Sequence, residues 1–281
     1  MALSVLTNVE SLSAQGSLSR TQRSLSATMG RLSTGLRINT AGDDAAGLAI
    51  SEKLRSQVRS MAQAERNAND GTSLLQVAEG ALNEVSGIMT RLRELAIQSA
   101  NGTLGATERT FINNEFVALR SELDRIAEVT EFNGQKLLDS GGVTLDFQVG
   151  IRGTVDDRIS VTIASAHSVD MGVVGATNLS TVDVTTAANA QAALANIDQA
   201  ITDVSSRRGT LGAAQNRLAV TISNLQSARE GLSAAESRIR DADIAAETAA
   251  MTRGQILMQA GVSVLSQANQ LPALALSLLG G

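Results

Sequence analysis

The chain has 281 residues and a net charge of −5, with 43% apolar residues but only 1% aromatic: four Phe, no Tyr and no Trp. A core built from Ala, Leu, Ile and Val without aromatic bulk suits long helices packed on helices. With no cysteine there are no disulfides, thiolate metal sites or cysteine nucleophiles, and an acidic, aromatic-poor composition argues against nucleic-acid binding. No apolar run approaches the ~18 residues of a membrane span, so no membrane partner is expected. The N-terminal stretch Met1 to Glu10 lacks the basic region of a secretory signal peptide.

Residues 1–130 read as helical. Near the start, Leu18, Leu25 and Leu32 alternate with Met29 and Leu36. Asp43-Asp44 then lies between two helical stretches and is expected to cap the second, its charge favouring that helix's N-terminus. From 54 to 96, every seventh residue is Leu, Met or Ala, and Ala64, Ala78, Val85 and Leu92 form the companion row, which only Gly71 interrupts. That is an a/d seam. Asn69-Asp70-Gly71 looks like a helix stop, and Gly80 and Gly87 each cost about 1 kcal/mol in a helix interior. The unbroken register predicts that the helix continues nonetheless. Asn101-Gly102 marks a turn, and Ile112, Phe116, Leu119, Leu123 and Ile126 define a further helix that Asn133-Gly134 closes.

The middle changes period. Val143 to Val149 and Ile159 to Ile163 alternate apolar and polar, predicting a β-hairpin within about 141–163, with Asp156-Asp157 as a turn. Residues 164–186 have no clear period and read as an irregular, exposed tip. His167, the chain's single histidine, lies there and reads as a surface residue. Helical character returns at 187. Positions 197, 204, 211, 218, 225, 232 and 239 are all large aliphatics. Ile244, Met251, Met258 and Leu265 repeat by seven near the end, and so do Leu257, Val264, Leu271 and Leu278. This last segment is therefore apolar on two faces, and a single chain of this length leaves little to cover both.

No catalytic constellation assembles. There is no nucleophile elbow to accompany His167, no phosphate-cradling glycine motif, and no glycine to make Asp241-Ala-Asp243 with Glu247 a calcium loop. Those acidic residues read as a solvated helix face. No enzyme activity, cofactor or metal is expected.

Four blocks carry a family resemblance. Leu32-Ser-Thr-Gly-Leu-Arg-Ile-Asn-Thr-Ala-Gly-Asp-Asp-Ala-Ala-Gly-Leu-Ala-Ile50 and Arg91-Leu-Arg-Glu-Leu-Ala-Ile-Gln-Ser-Ala-Asn101 closely resemble the N-terminal signatures of bacterial flagellin. Phe132-Asn-Gly-Gln-Lys-Leu-Leu138 with Phe147-Gln-Val-Gly150 resembles its hairpin region, and Gln255 to Pro272 with Leu276-Ser-Leu-Leu279 its C-terminus. The sequence departs from the family at Gly42, where a lysine is common, and at Gly280-Gly281, where some members end in a basic residue.

The resemblance implies a mainly α fold: long coiled-coil-like helices from both termini, packed as an elongated bundle, with a small β-hairpin near the middle. It implies an inner domain of residues 1–44 and 240–281, and an outer helical-bundle domain of 45–180 and 187–239. With few residues between its halves, the chain is expected to be a short form without the large outer insertion domains. The implied function is a secreted, extracellular subunit that self-assembles into the flagellar filament for swimming, through terminal helices that fold on assembly. The assembly seam would be Leu18, Leu25, Leu32, Met251, Met258 and Leu265, with Leu257, Val264, Leu271 and Leu278 on the second face. Implied partners are further copies of itself, a flagellar export chaperone of the type III pathway, filament cap and hook-junction proteins, and a host Toll-like receptor read through Arg91, Leu95 and Glu115. A hook-junction protein, an unrelated coiled-coil adaptor and an enzyme using His167 are the competing interpretations.

Overall fold

The structure is a computed structural model that describes residues 7–279, with side chains described up to residue 270. It contains five long helices: α1 (Val9–Thr34), α2 (Ala45–Ala100), α3 (Ala106–Val129), α4 (Ala187–Arg240) and α5 (Ile244–Leu279). Between α3 and α4 lie β1 (Glu131–Phe132), β2 (Gln135–Lys136), β3 (Val143–Gln148) and β4 (Arg158–Ile163). Packing divides the chain into two compact units, one of residues up to Val58 with Glu230 onward, the other Arg59–Arg229.

In the second unit, the heptad rows of α2 and α4 are the core. Leu75, Leu82, Val85, Met89 and Leu92 of α2 are fully buried, as are Ile197 and Leu218 of α4. Ile112, Phe116 and Leu123 bring α3 onto the same core. The helix does run through Asn69-Asp70-Gly71. A side chain at Gly71 would meet the ring of Phe147, with the nearest carbons at 2.9–3.1 Å. The glycine is there for the hairpin, not to end the helix.

The hairpin forms as predicted, β3 antiparallel to β4 with Phe147 opposite Ile159 and Val143 opposite Ile163. Ile159, Val161 and Ile163 turn inward against Leu75, Ala78 and Leu218, and the alternate residues face water. A second, two-residue ladder pairs Glu131 with Lys136 and Phe132 with Gln135. Its turn is Asn133-Gly134, both with φ positive (52° and 78°), which suits a tight hairpin connection. Asn133-Gly134 therefore makes a turn of its own as well as following α3.

Residues 164–186 are irregular, but the expectation of an exposed tip is corrected. Met171, Leu179 and Val184 are completely buried among α2, α3 and α4 residues. Their backbone is tied down by side chains from the helices. The buried Asn196 amide donates to Gly172 O and Thr177 O, Asp124 accepts from Ser168 N and Oγ, Asn113 accepts from Val184 N, and Arg120 donates to Val182 O. Irregular backbone is buried only when its polar groups find such partners.

In the first unit, α1 and α5 pack antiparallel. Asn8 caps α1 by accepting from Ser11 N (3.0 Å), and its amide donates to Ala268 O on α5 (2.8 Å). Ser11 Oγ donates to Asn269 Oδ1, and at the other end Arg31 pairs with Glu247 at 3.2 Å. Between these contacts Leu25 lies over Gly254 and Leu18 over Gly261, each leucine 3.2–3.3 Å from where a Cβ would stand. The two glycines let the helices approach closely.

Candidate functional site

Three surfaces concentrate the residues singled out in the sequence. The first is the α1–α5 pair. Leu25 is buried, and Leu18, Leu32, Met251, Met258 and Leu265 are half-buried, all on the packed side. Leu257 (53% exposed) and Val264 (54%) lie on the open side of α5, together with Ile256 (60%) and Val262 (54%). Leu12 and Met29 leave α1 with exposed apolar groups as well. The side chains of Leu271 and Leu278 lie outside the described residues. The two apolar faces of α5 are thus separated in space: one is covered by α1, and the other is open along its described length.

The second is the joint between α1 and α2 on one strand of the chain and α4 and α5 on the other. Gly35 ends α1 with φ +70°, the left-handed geometry that glycine supplies at a helix C-terminus. Leu36 and Asp241 form an isolated antiparallel bridge, with Arg37 N donating to Arg240 O and Ala242 N to Gly35 O. The Arg37 guanidinium donates to Ile239 O, one of the carbonyls left free at the end of α4. Arg240 Nη1 reaches Glu52 Oε1 at 2.6 Å, and this bond with its charge holds the Glu52 carboxyl below its ordinary pKa. Asp44 caps α2 through Gly47 N (2.8 Å), as expected. Asp43 instead gathers Thr40 N, Thr40 Oγ1 and Asn39 N, which lowers its pKa. Asp241 and Asp243 are not on a continuous helix, which corrects that reading. Asp243 caps α5 by accepting from Ala245 N and Ala246 N. Without a proline or glycine there, nothing in the local sequence announces this break.

The third is the exposed face that α2 and α3 share. Arg91 donates through Nε and Nη2 to Glu115 Oε1 (2.9 and 2.7 Å) and through Nη1 to Glu94 (2.9 Å). These bonds, to Glu115 first and then Glu94, raise the pKa of the guanidinium. Arg93 pairs with Asp198 of α4 at 2.7 Å. Arg91 and Glu115 are therefore adjacent and exposed. Leu95 is not beside them on the surface: it is 1% exposed and packs into the core beneath.

His167 is not a surface residue. Its side chain is 15% exposed, with Nε2 at 3.2 Å from Asp139 and Nδ1 at 3.5 Å from Asp124. The nearby serines give their hydroxyls to carboxylates, Ser165 to Asp170 and Ser168 to Asp124, so none is aligned with the imidazole as a nucleophile. The cluster ties the 164–170 segment to α3 and to the residues after β2. Among the described residues no group of His, Asp and Glu could hold a metal ion, and no helix is long and apolar enough to cross a membrane.

Among the described residues, α1 and α5 pair as antiparallel helices and α5 keeps a free apolar face, an arrangement suited to the class of structural subunits that assemble with one another. Comparison with known proteins is specific about which. The bacterial flagellin N-terminal helical region matches residues 5–142, and the bacterial flagellin C-terminal helical region matches residues 194–279. The flagellin of Halalkalibacterium halodurans is 50% identical over 251 residues, covering 89% of this chain and 90% of that one. The flagellin of Bacillus subtilis is 44% identical over 300 aligned positions, covering 97% and 98%. A solved structure of a protein described as flagellar hook-associated, from Vibrio parahaemolyticus, shares the fold alone, at 14% identity and a TM-score of 0.59 over 71% of this chain and all of that one.

The chain belongs to the bacterial flagellin family. It is a structural subunit of the extracellular flagellar filament and assembles with copies of itself; it is not an enzyme. Only residues 143–193 separate the two matched regions, and the hairpin and the buried irregular segment occupy them, so it is a short form.

Proposed function

We propose that α1 and α5 are the polymerisation element, ordered by the filament itself. On this reading, residues 1–44 and 240–281 make the inner layer of the filament, and 45–180 with 187–239 the layer around it. The observation that carries it is the open face of α5 at Ile256, Leu257 and Val264. Burying such a face between subunits offsets the entropy of ordering the helix, which a free monomer does not offset. A head-to-tail contact of this kind does not close on itself and grows a filament. Full-length protein, seeded with filament fragments, is expected to give long tubes by electron microscopy. A chain lacking residues 1–40 and 245–281 is expected to give none; tubes from both would refute the proposal.

The same open face favours the wider partners that the family resemblance implies. An export chaperone would cover α5 before assembly, delivery would follow the flagellar type III route, and cap and hook-junction proteins would meet the filament ends.

A second activity has its own observation. Arg91 and Glu115 form one exposed charged patch, of the kind that a Toll-like receptor reads in the family. The buried Leu95 would support this patch from beneath without touching the receptor. The pair is solvent-exposed and its ion pair is weak, so a partner could redistribute its bonds at little cost. Arg91→Asp is expected to abolish receptor signalling by soluble monomer. Signalling at the wild-type level would remove the patch from the interface.

A further inference from the structure

The chain has no cysteine, so its only sulfur atoms, the nucleophiles that a peroxide attacks, are those of seven methionines. The fold sorts them by place. Met89 and Met171 are completely buried in the unit Arg59–Arg229. Met61 of the same unit is half-buried and lines an open groove with residues of α4 and of the loop joining β3 to β4. Met29, Met251 and Met258 belong instead to the α1–α5 pair. Met29 is 45% exposed on α1. Met251 and Met258 are half-buried, seven residues apart on the side of α5 that packs on α1, with Gly254 between them. The Leu25–Gly254 and Arg31–Glu247 contacts bracket both Met29 and Met251, which places those two residues at one level of the pair.

We propose that Met29, Met251 and Met258 form an oxidation site through which a peroxide disables the unassembled chain. The sulfur lone pair of each attacks one peroxide oxygen. An S–O bond forms, the O–O bond breaks, sulfur is oxidised to the sulfoxide, and the second oxygen is reduced, takes both hydrogens and leaves as water. A sulfoxide carries a strong dipole where the thioether was apolar, and burying it without a donor is unfavourable. Met251 and Met258 share the seam with Leu18 and Leu25, so their sulfoxides stand in the contact that orders α5 on α1. At Met29 the same change falls on an apolar group that α1 leaves open. A chain whose ends are ordered only on joining a filament presents all three sulfurs beforehand. The proposal rests on that filament reading and adds a chemical condition to it: a subunit joins only with these sulfurs reduced.

Full-length protein treated with hydrogen peroxide, then freed of it, is expected to carry one added oxygen at each of Met29, Met251 and Met258 by peptide mass spectrometry. Met89 and Met171 are expected to stay unmodified. Seeded elongation by this material is expected to fall at least tenfold, and methionine sulfoxide reductases for both sulfoxide epimers, supplied with a thiol, to restore it. The triple variant Met29→Leu, Met251→Leu, Met258→Leu is expected to elongate equally before and after peroxide, whereas Met61→Leu stays as sensitive as wild type. Three sulfurs left unmodified, full elongation after their oxidation, or a triple variant that loses as much as wild type would overturn the site. So would a Met61→Leu variant that resists peroxide. If the triple variant grows no filament even untreated, the reductases decide, and a rate that complete reduction does not restore sinks the proposal. Untreated wild type separates the two failures. If it forms no tubes, the filament reading itself is at fault; if it elongates normally and the oxidised protein keeps pace, only this site is.

Discussion

A chain carrying Leu257→Glu and Val264→Glu is expected to remain soluble and to add to no seed, even at a thousand times the concentration at which wild type elongates. Both residues lie on the open side of α5, more than half exposed. Neither should disturb the pairing with α1, which Leu25 over Gly254 and Leu18 over Gly261 maintain. In a polymer the same positions would be dry. Placing an unpaired carboxylate in an apolar contact costs several kcal/mol or forces its protonation. Two such costs per subunit exceed the roughly 4 kcal/mol that separates a given affinity from one a thousandfold weaker. Light scattering of seeded solutions, with circular dichroism to show that helix content is retained, checks the expectation. Filaments at the wild-type concentration would mean that the open face of α5 is not an interface.

The second large effect is expected in the unit Arg59–Arg229. Gly71→Leu should expel Phe147 from its seat on α2 and loosen the β3–β4 hairpin. The nearest ring carbons stand 2.9–3.1 Å from the position of a Cβ. The ring is held from behind by the ladder that pairs Phe147 with Ile159. Overpacking of this sort costs about 1–3 kcal/mol, set against the gain of somewhat under ~1 kcal/mol from leucine's higher helix propensity than glycine's. Gly80 and Gly87 supply the contrast, because nothing stands within 4 Å of a Cβ at either. Gly80→Ala and Gly87→Ala should each raise stability by up to ~1 kcal/mol. Thermal melts of the three variants would show one falling and two rising. A Gly71→Leu variant that melts with the alanine variants would mean that the hairpin does not need the groove that Gly71 leaves.

How far these features were legible depends on whether a period carried them. The rows from Leu54 to Ala96 and from Ile197 to Ile239 repeat by seven because one face of each helix stays turned inward, toward the hairpin around Leu75 and toward α3 around Leu92, so burial follows spacing from Ala68 to Ala96 and from Ile197 to Leu225. The β3–β4 hairpin was legible for the same reason at period two. Residues 164–186 were misread because Met171, Leu179 and Val184 are buried singly, each by a different set of helix-borne partners such as Asn196 and Asn113, and single anchors leave no period. The break at Asp241 to Asp243 was missed because the heptad row of α4 reaches Ile239 and the row of α5 opens at Ile244, almost without a gap. The exposed patch at Arg91 and Glu115 came from resemblance. Only the folded register brings those two residues together and puts Leu95 below them.

The glycines at 254 and 261 have a further consequence. Each weakens α5 as a solitary helix by about 1 kcal/mol relative to alanine, and helix formation without tertiary packing is marginal in water even for good sequences. The same two positions admit Leu25 and Leu18 so closely that, once α1 is present, the pair locks. One substitution pattern therefore lowers the stability of the separate strand and raises that of the paired one. The two missing side chains thus make the helicity of α5 depend more on its partner than alanines there would.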